Sequence, residues 1–334
     1  MTPYRIRPIL LAGLTISSLS ISATASQASV GHHSNDYGPL NVYAQSPLQS
    51  NSLAPQLKSG FSNQTGMAEF YTSATIASVW AHTYEYNLDY YQNALSIGGN
   101  WQLTPLWIIE MDFTWRFAAN NHLDTLTRAF HKTFGIDHNG RADVDKHSFD
   151  ISVPQYGVEI HGFDGDTLGN VFSFYSSYQL MEDTHHGLSL GGSLYYNYVG
   201  NGPFKTSQFE QAMQLNYSYR SGKHHIYTLL GVSYRHDDEV LADVKYNHFA
   251  LATGISYQYQ LSDTHRLLTE FHLYEGANDA ISELSEPSVE FLIGYRYHTG
   301  QGAIELSLIE NVFNMDNSTD VAFTLGYRHR FMME

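Results

Sequence analysis

The chain is 334 residues long, carries a formal net charge of −16 and has no cysteine. A disulfide framework and a cysteine-borne lipid anchor are thereby excluded, and the acidic balance argues against a nucleic-acid-binding surface. The 25 Tyr, 18 Phe and 26 Gly against only 9 Pro suit a chain of many strands, with Tyr serving where an apolar ring must end in a wet hydroxyl.

At the start, Arg5 and Arg7 precede an apolar stretch, Ile9 to Ile21, and the small-x-small triplet Ala23-Thr24-Ala25. This predicts a secretory signal peptide over 1–25, with cleavage after Ala28 as the alternative. Residues 26–66 are rich in Ser, Asn, Gln and Pro, as in Tyr37-Gly38-Pro39-Leu40 and Ser46-Pro47-Leu48. They predict an irregular periplasmic segment that packs at the mouth of the following domain. Beyond the signal, no apolar run approaches the eighteen or so residues of a membrane helix, but a spanning strand needs only about ten, half of them apolar.

Twelve such strands are expected between 67 and 331, at 68–81, 86–103, 106–117, 168–180, 187–199, 209–221, 224–236, 246–261, 265–275, 287–299, 302–311 and 319–331. A period of two puts alternate side chains on opposite faces. In 107–117, Ile109, Met111, Phe113, Trp115 and Phe117 oppose Glu110, Asp112, Thr114 and Arg116. In 209–219, Phe209, Met213, Leu215, Tyr217 and Tyr219 oppose Glu210, Gln214, Asn216 and Ser218, and Arg220 is read as inward too. In 289–298, Val289, Phe291, Ile293, Tyr295 and Tyr297 oppose Glu290 and Arg296, and the same reading turns Glu270 and Glu305 inward. The last strand sets Val321, Phe323, Leu325, Tyr327 and Phe331 against Arg328 and Arg330, with His329 interrupting the apolar face.

Short connections (104–105, 182–186, 221–223, 262–265, 299–302) alternate with longer polar ones (200–208, 237–245, 276–286, 312–318), the asymmetry of a membrane barrel. The predicted fold is all-β: an antiparallel transmembrane β-barrel of about twelve strands over 67–331. An even strand count makes 118–167 one long connection, with 148–162 a hairpin extension inside it instead of a thirteenth strand. A large soluble β-domain is the competing architecture, but its buried face would favour aliphatic side chains. Within the long connection, Asp124 offers an N-cap, and Leu123, Leu126, Phe130 and Phe134 recur at helical spacing before Gly135. One amphipathic helix is therefore predicted over about 118–147, either as a constriction in the lumen or as an exterior loop helix.

Three resemblances add to this reading. The final strand, through Phe323, Leu325, Tyr327 and Phe331, resembles the C-terminal assembly signal of Gram-negative outer-membrane barrels, although Met332 to Glu334 follow the Phe that usually ends it. The run 123–141 (LDTLTRAFHKTFGIDHNGR), with 38–48 (GPLNVYAQSPL), resembles a family of uncharacterised gammaproteobacterial proteins classed as a domain of unknown function. That resemblance implies an outer-membrane barrel and brings no catalytic residues. His32-His33-Ser34-Asn35 contains H-x-S-N, similar to the His/Ser pair of outer-membrane phospholipase A and lipid A deacylase. Here the motif sits in a polar tail with no third residue to orient the base.

The 18 histidines include the pairs His185-His186 and His224-His225 beside expected turns. Adjacent histidines on a strand point to opposite faces, so neither pair is a chelate, and no metal or cofactor is expected. Charged groups of both signs on the inner faces either line a path or seal it with ion pairs. The leading expectation is passive passage of small solutes across the outer membrane of a Gram-negative bacterium, with cations favoured by the acidic excess. Expected partners are outer-membrane lipid and, during biogenesis, the barrel-assembly machinery; nothing specifies an oligomeric state. A sealed structural or surface-interaction barrel is the alternative, and an outer-membrane lipid hydrolase the third reading.

Overall fold

The structure is a computed structural model that describes residues 36–123, 148–236, 239–241, 244–317 and 319–333. Among the described residues sixteen strands follow in chain order. The first are β1 (Met67–His82), β2 (Asn87–Gln102) and β3 (Trp107–Ala118), then the short hairpin β4 (Asp150–Val153) and β5 (Val158–His161). Next come β6 (Thr167–Glu182), β7 (His186–Val199), β8 (Thr206–Ser221) and β9 (His224–Arg235), and a second hairpin, β10 (Glu239–Leu241) and β11 (Val244–Lys245). The last are β12 (Phe249–Gln260), β13 (His265–Tyr274), β14 (Ser288–Thr299), β15 (Gly302–Phe313) and β16 (Val321–Met332).

The twelve long strands form one closed antiparallel barrel. Each pairs with its neighbours along the chain, and β1 closes onto β16 in register from Met67↔Met332 to Ser78↔Val321. Closure matters because a bare sheet edge in hydrocarbon would leave peptide groups unpaired, at several kcal/mol each. The dyad pattern is plain in β13: Arg266, Leu268, Glu270, His272 and Tyr274 are buried inside, while Leu267, Thr269, Phe271 and Leu273 are exposed outside.

Tight turns at one end use Gly222 (φ 57°) and Gly300 (φ 71°) in the left-handed region that a residue with a Cβ avoids. The opposite, long-loop end carries the extra structure. Strands β4 and β5 pair with each other, and β4 also pairs with Asn87–Asp89 of β2. Four residues each, they are too short to span a bilayer, which calls for about nine or more, so 148–162 is the loop hairpin expected of it.

An apolar cluster closes the long-loop end, built from Tyr86, Tyr90, Phe149, Ile151, Phe163, Phe204, Tyr246, Ile281 and Leu284, with Leu48 among them. Phe163 is its hub, at 5.7 Å from Tyr90, 5.6 Å from Phe149 and 5.1 Å from Phe204 between ring centroids, in edge-on arrangements that aromatic quadrupoles favour. Helical structure among the described residues comprises three short 3₁₀ turns, one turn at Ser282–Ser285 and Leu123, which is helical. Of the range expected for the amphipathic helix, 118–123 are described: Ala118 ends β3, 119–122 are irregular and Leu123 is helical and buried; Leu126, Phe130 and Phe134 lie outside the described residues.

Candidate functional site

The barrel interior is occupied by the chain's own N-terminal segment. Residues 36–63 enter at the short-turn end, rise to a 3₁₀ turn at Gln49–Asn51 under the apolar cap, and descend to the end where they began. The sequence led us to expect this segment at the mouth; it runs instead through the length of the lumen.

The ascending limb starts at Asp36. Its carboxylate meets His225 Nδ1 at 2.9 Å and accepts from the Tyr227 hydroxyl at 2.8 Å and Gly38 N at 3.0 Å. Burial alone would raise this carboxyl, but the bond and charge of His225, with the Gly38 and Tyr227 donors, outweigh it and hold Asp36 well below the ordinary range. Tyr37 lies against three guanidinium groups, nearest Arg330 at 4.2 Å from the ring centroid. The Pro39 carbonyl accepts from both Arg296 and Arg328 at 3.0 Å.

Irregular backbone at membrane depth is tolerated only where its donors are satisfied, and glutamates perform that task here. Leu40 N donates to Glu270 at 2.8 Å and Asn41 N to Glu305 at 3.3 Å. Gln45 N, Ser46 N and Ser46 Oγ converge on one oxygen of Glu290 at 2.7, 2.7 and 2.8 Å. On the way down, Leu53 N donates to Glu210 at 3.0 Å, Gly60 N to Ser218 Oγ at 2.8 Å and Ser62 N to Glu182 at 3.0 Å. Lys58 pairs with Glu110 at 2.7 Å.

The wall thins where the segment presses on it. Gly294 faces Leu40, Gly231 faces Pro55, Gly254 faces Leu57, and Gly187 meets the backbone of Gly60 so closely that a Cβ there would lie 2.6 Å from the Gly60 carbonyl oxygen.

Glu110, Arg116, Glu210, Glu270, Glu290, Arg296, Glu305, Arg328 and Arg330 are all buried on the inner wall; Asp112 shares that face, half-buried, and Arg220 stands at the short-turn rim, 3.8 Å from the Phe61 ring. Arg296 and Arg328 pair with Glu305 at 2.6 and 3.4 Å, and Arg235 pairs with Glu210 at 3.2 Å. Arg328 and Arg330 clasp Glu69 at 2.6 and 2.7 Å across the β1–β16 seam. Glu69, Arg235 and Asp36 escaped the sequence reading. Ala-, Ser- and Thr-rich β1 alternates too weakly to assign Glu69 a face, and Asp36 lies in a segment with no period.

On the outer wall, Leu325, Tyr327 and Phe331 are exposed and Phe323 is half-buried. Adjacent histidines diverge as strand geometry requires: His224 meets the Tyr257 hydroxyl at 2.7 Å on the outside, while His225 turns inward to Asp36. Residues 32–35, with the H-x-S-N motif, lie outside the described residues, and no group of metal-ligating side chains occurs among the described ones.

The family described as Protein of unknown function (DUF3187) matches residues 15–331. The chain belongs to this DUF3187 family. No curated protein matches it. Among solved structures, the DUF3187 barrel is similar to the COG4313 outer membrane channel from Pseudomonas putida F1, at 12 % identity and a TM-score of 0.52 over 84 % of this chain and 100 % of that one. Weaker matches are the NanC porin (11 % identity, TM-score 0.44, 78 % and 98 %) and the KdgM porin in complex with disordered oligogalacturonate (7 %, 0.44, 79 % and 99 %). At these identities the likeness concerns the fold, which is that of outer-membrane β-barrels.

Proposed function

We propose that this protein is an outer-membrane channel of a Gram-negative bacterium, delivered by a cleaved signal peptide, that passes small solutes passively and is closed at rest by residues 36–63. The short-turn end then faces the periplasm. One observation carries the reading: the segment enters and leaves by the same end, and among the described residues no backbone–backbone hydrogen bond joins it to the wall. Side chains alone hold it, so it can withdraw into the periplasm without opening a ladder. Behind it stands a wall of paired charges of the kind that lines a polar path.

Catalysis has no part in this reading. Deleting 36–63 is expected to turn rare, small current steps in planar bilayers into sustained, larger ones. A deletion variant that folds and stays silent would dispose of the channel. The sealed-barrel alternative is favoured by a different observation, the apolar cap over the segment's tip, and it expects that silence.

A further inference from the structure

Among the described residues, three places on the outer wall repeat one arrangement. His186, His224 and His265 each open a strand after a short turn and face outward. In the ladders they stand opposite Tyr219, Tyr259 and Tyr297. Each Nδ1 reaches diagonally to the tyrosine hydroxyl two residues deeper: His186 to Tyr217 at 2.8 Å, His224 to Tyr257 at 2.7 Å and His265 to Tyr295 at 2.5 Å. The imidazole centroids lie 6.1, 6.0 and 5.9 Å from these rings, and 5.2, 5.2 and 5.3 Å from the rings directly opposite. Turn geometry does not impose the repeat, because the preceding connections, 183–185, 222–223 and 261–264, differ in length. Nor does every wall histidine beside an aromatic ring adopt it: at the long-loop end of β1, His82 stacks on Trp80 and its Nδ1 meets Asn87.

The bond fixes which ring nitrogen points where. A phenol hydroxyl donates readily to an imidazole nitrogen, so Nδ1 accepts and the proton of the neutral ring sits on Nε2. A protonated ring keeps that second donor too. The three Nε2–H groups have no acceptor among the described residues. One step deeper on the same face of the tyrosine strands stand Leu215, Ile255 and Ile293, exposed apolar side chains that hydrocarbon must cover. The donors thus share one depth at the edge of the apolar band, where a bilayer presents its headgroups and Tyr is enriched.

Net charge does not draw an anion to this rim. Asp183, Asp263 and Lys223 lie in the turns, Asp183 accepts from the backbone of His185 and His186, and Glu182 is 4.0 Å from Arg220. Directed donors make the selection instead. Of the acceptors at headgroup depth, a phosphodiester oxygen carries full charge, and a hydrogen bond to it is about twice as strong as one to an ester carbonyl or to water.

We infer that these three His–Tyr pairs form a binding belt for glycerophospholipid phosphodiesters, each Nε2–H donating to a phosphate oxygen while the acyl chains lie on the apolar wall. The belt acts whether or not the lumen conducts.

The test uses the folded full-length barrel, ¹⁵N-labelled at histidine, in phosphatidylethanolamine–phosphatidylglycerol bilayers. Dephasing of protonated Nε2 signals by lipid ³¹P in solid-state NMR is expected. It should fall severalfold when Tyr217→Phe, Tyr257→Phe and Tyr295→Phe are combined, a variant that keeps every imidazole but frees its orientation. Combining His186→Phe, His224→Phe and His265→Phe should abolish it. Melting gives a second readout: the wild-type Tm should be several degrees higher in phospholipid than in a galactolipid of the same acyl chains, and the difference should vanish in the histidine variant. A purely aromatic anchor predicts the same Tm in both lipids. Heat-modifiable gel mobility shows that each variant is folded; if a triple variant is not, His224→Phe and Tyr257→Phe decide singly. Absence of dephasing in the wild type, or a Tm difference that the histidine variant keeps, overturns the belt. Equal dephasing in the tyrosine variant overturns the fixed donor.

Discussion

Asp36 stands where the segment enters the barrel, and its charge state should set how firmly the first limb is held. Its carboxyl is held well below the ordinary range when docked, despite burial, through His225, Gly38 and Tyr227; released, it returns to about 3.9. A group whose docked value is depressed contributes stability that is complete above its free value and lost as pH falls through the docked one. Cleavage of residues 36–63 by an acid protease should therefore stay slow above about pH 4 and rise steadily below it. Asp36→Asn should raise the cleavage rate throughout and flatten that dependence. A wild-type profile as flat as the variant's would show that Asp36 is not a latch. The same logic gives the inner glutamates a second meaning: Glu270, Glu290, Glu305 and Glu210 accept from an irregular backbone before they do anything for a solute.

At the scale of elements, the descending limb depends on glycine. Gly187 on β7 lies against Gly60, and a Cβ would come within 2.6 Å of backbone, which cannot swing aside as a side-chain tip can. Gly187→Ala should push this limb off the wall and raise protease cleavage between 53 and 63 severalfold. The β7–β8 ladder, paired Gly187↔Ser218, should keep the barrel's heat-modifiable mobility unchanged. Unaltered cleavage would mean that the limb relaxes around the methyl.

This contact also shows what the sequence could and could not convey. The strands were legible because a wall between lipid and water imposes a period of two on its own residues, visible in Ile109 to Phe117 or Phe323 to Arg330. The segment 36–63 imposes no period. Its position is written in acceptors such as Glu290 and Glu305, about 250 residues away in the chain, and in glycines that look like any other strand glycine. Its N-terminal location and irregularity were readable, its depth in the lumen was not. Arg116 was readable as inward-facing, but its place beside Tyr195, from a strand that does not adjoin its own, is a fact of three dimensions.

For the whole molecule, the central question is whether the two closures act as one. The segment blocks the lumen and the apolar cluster caps the long-loop end, so in series either alone would stop flow. Leu48, at the segment's tip, is 2 % exposed within that cap. Withdrawal of the segment removes an apolar member from the cap and leaves a void, and voids of the Leu→Ala kind cost about 2–5 kcal/mol. Displacing the segment therefore loosens the cap as well. Leu48→Ala keeps both limbs and their glutamate contacts while making the same void, so it should give more frequent current steps than the wild type and fewer than the deletion of 36–63. If the cap were an independent seal, Leu48→Ala would match the wild type and the deletion would remain silent, which is the outcome of the sealed barrel. The graded order of the three conductances thus distinguishes a channel with one coupled closure from a sealed barrel.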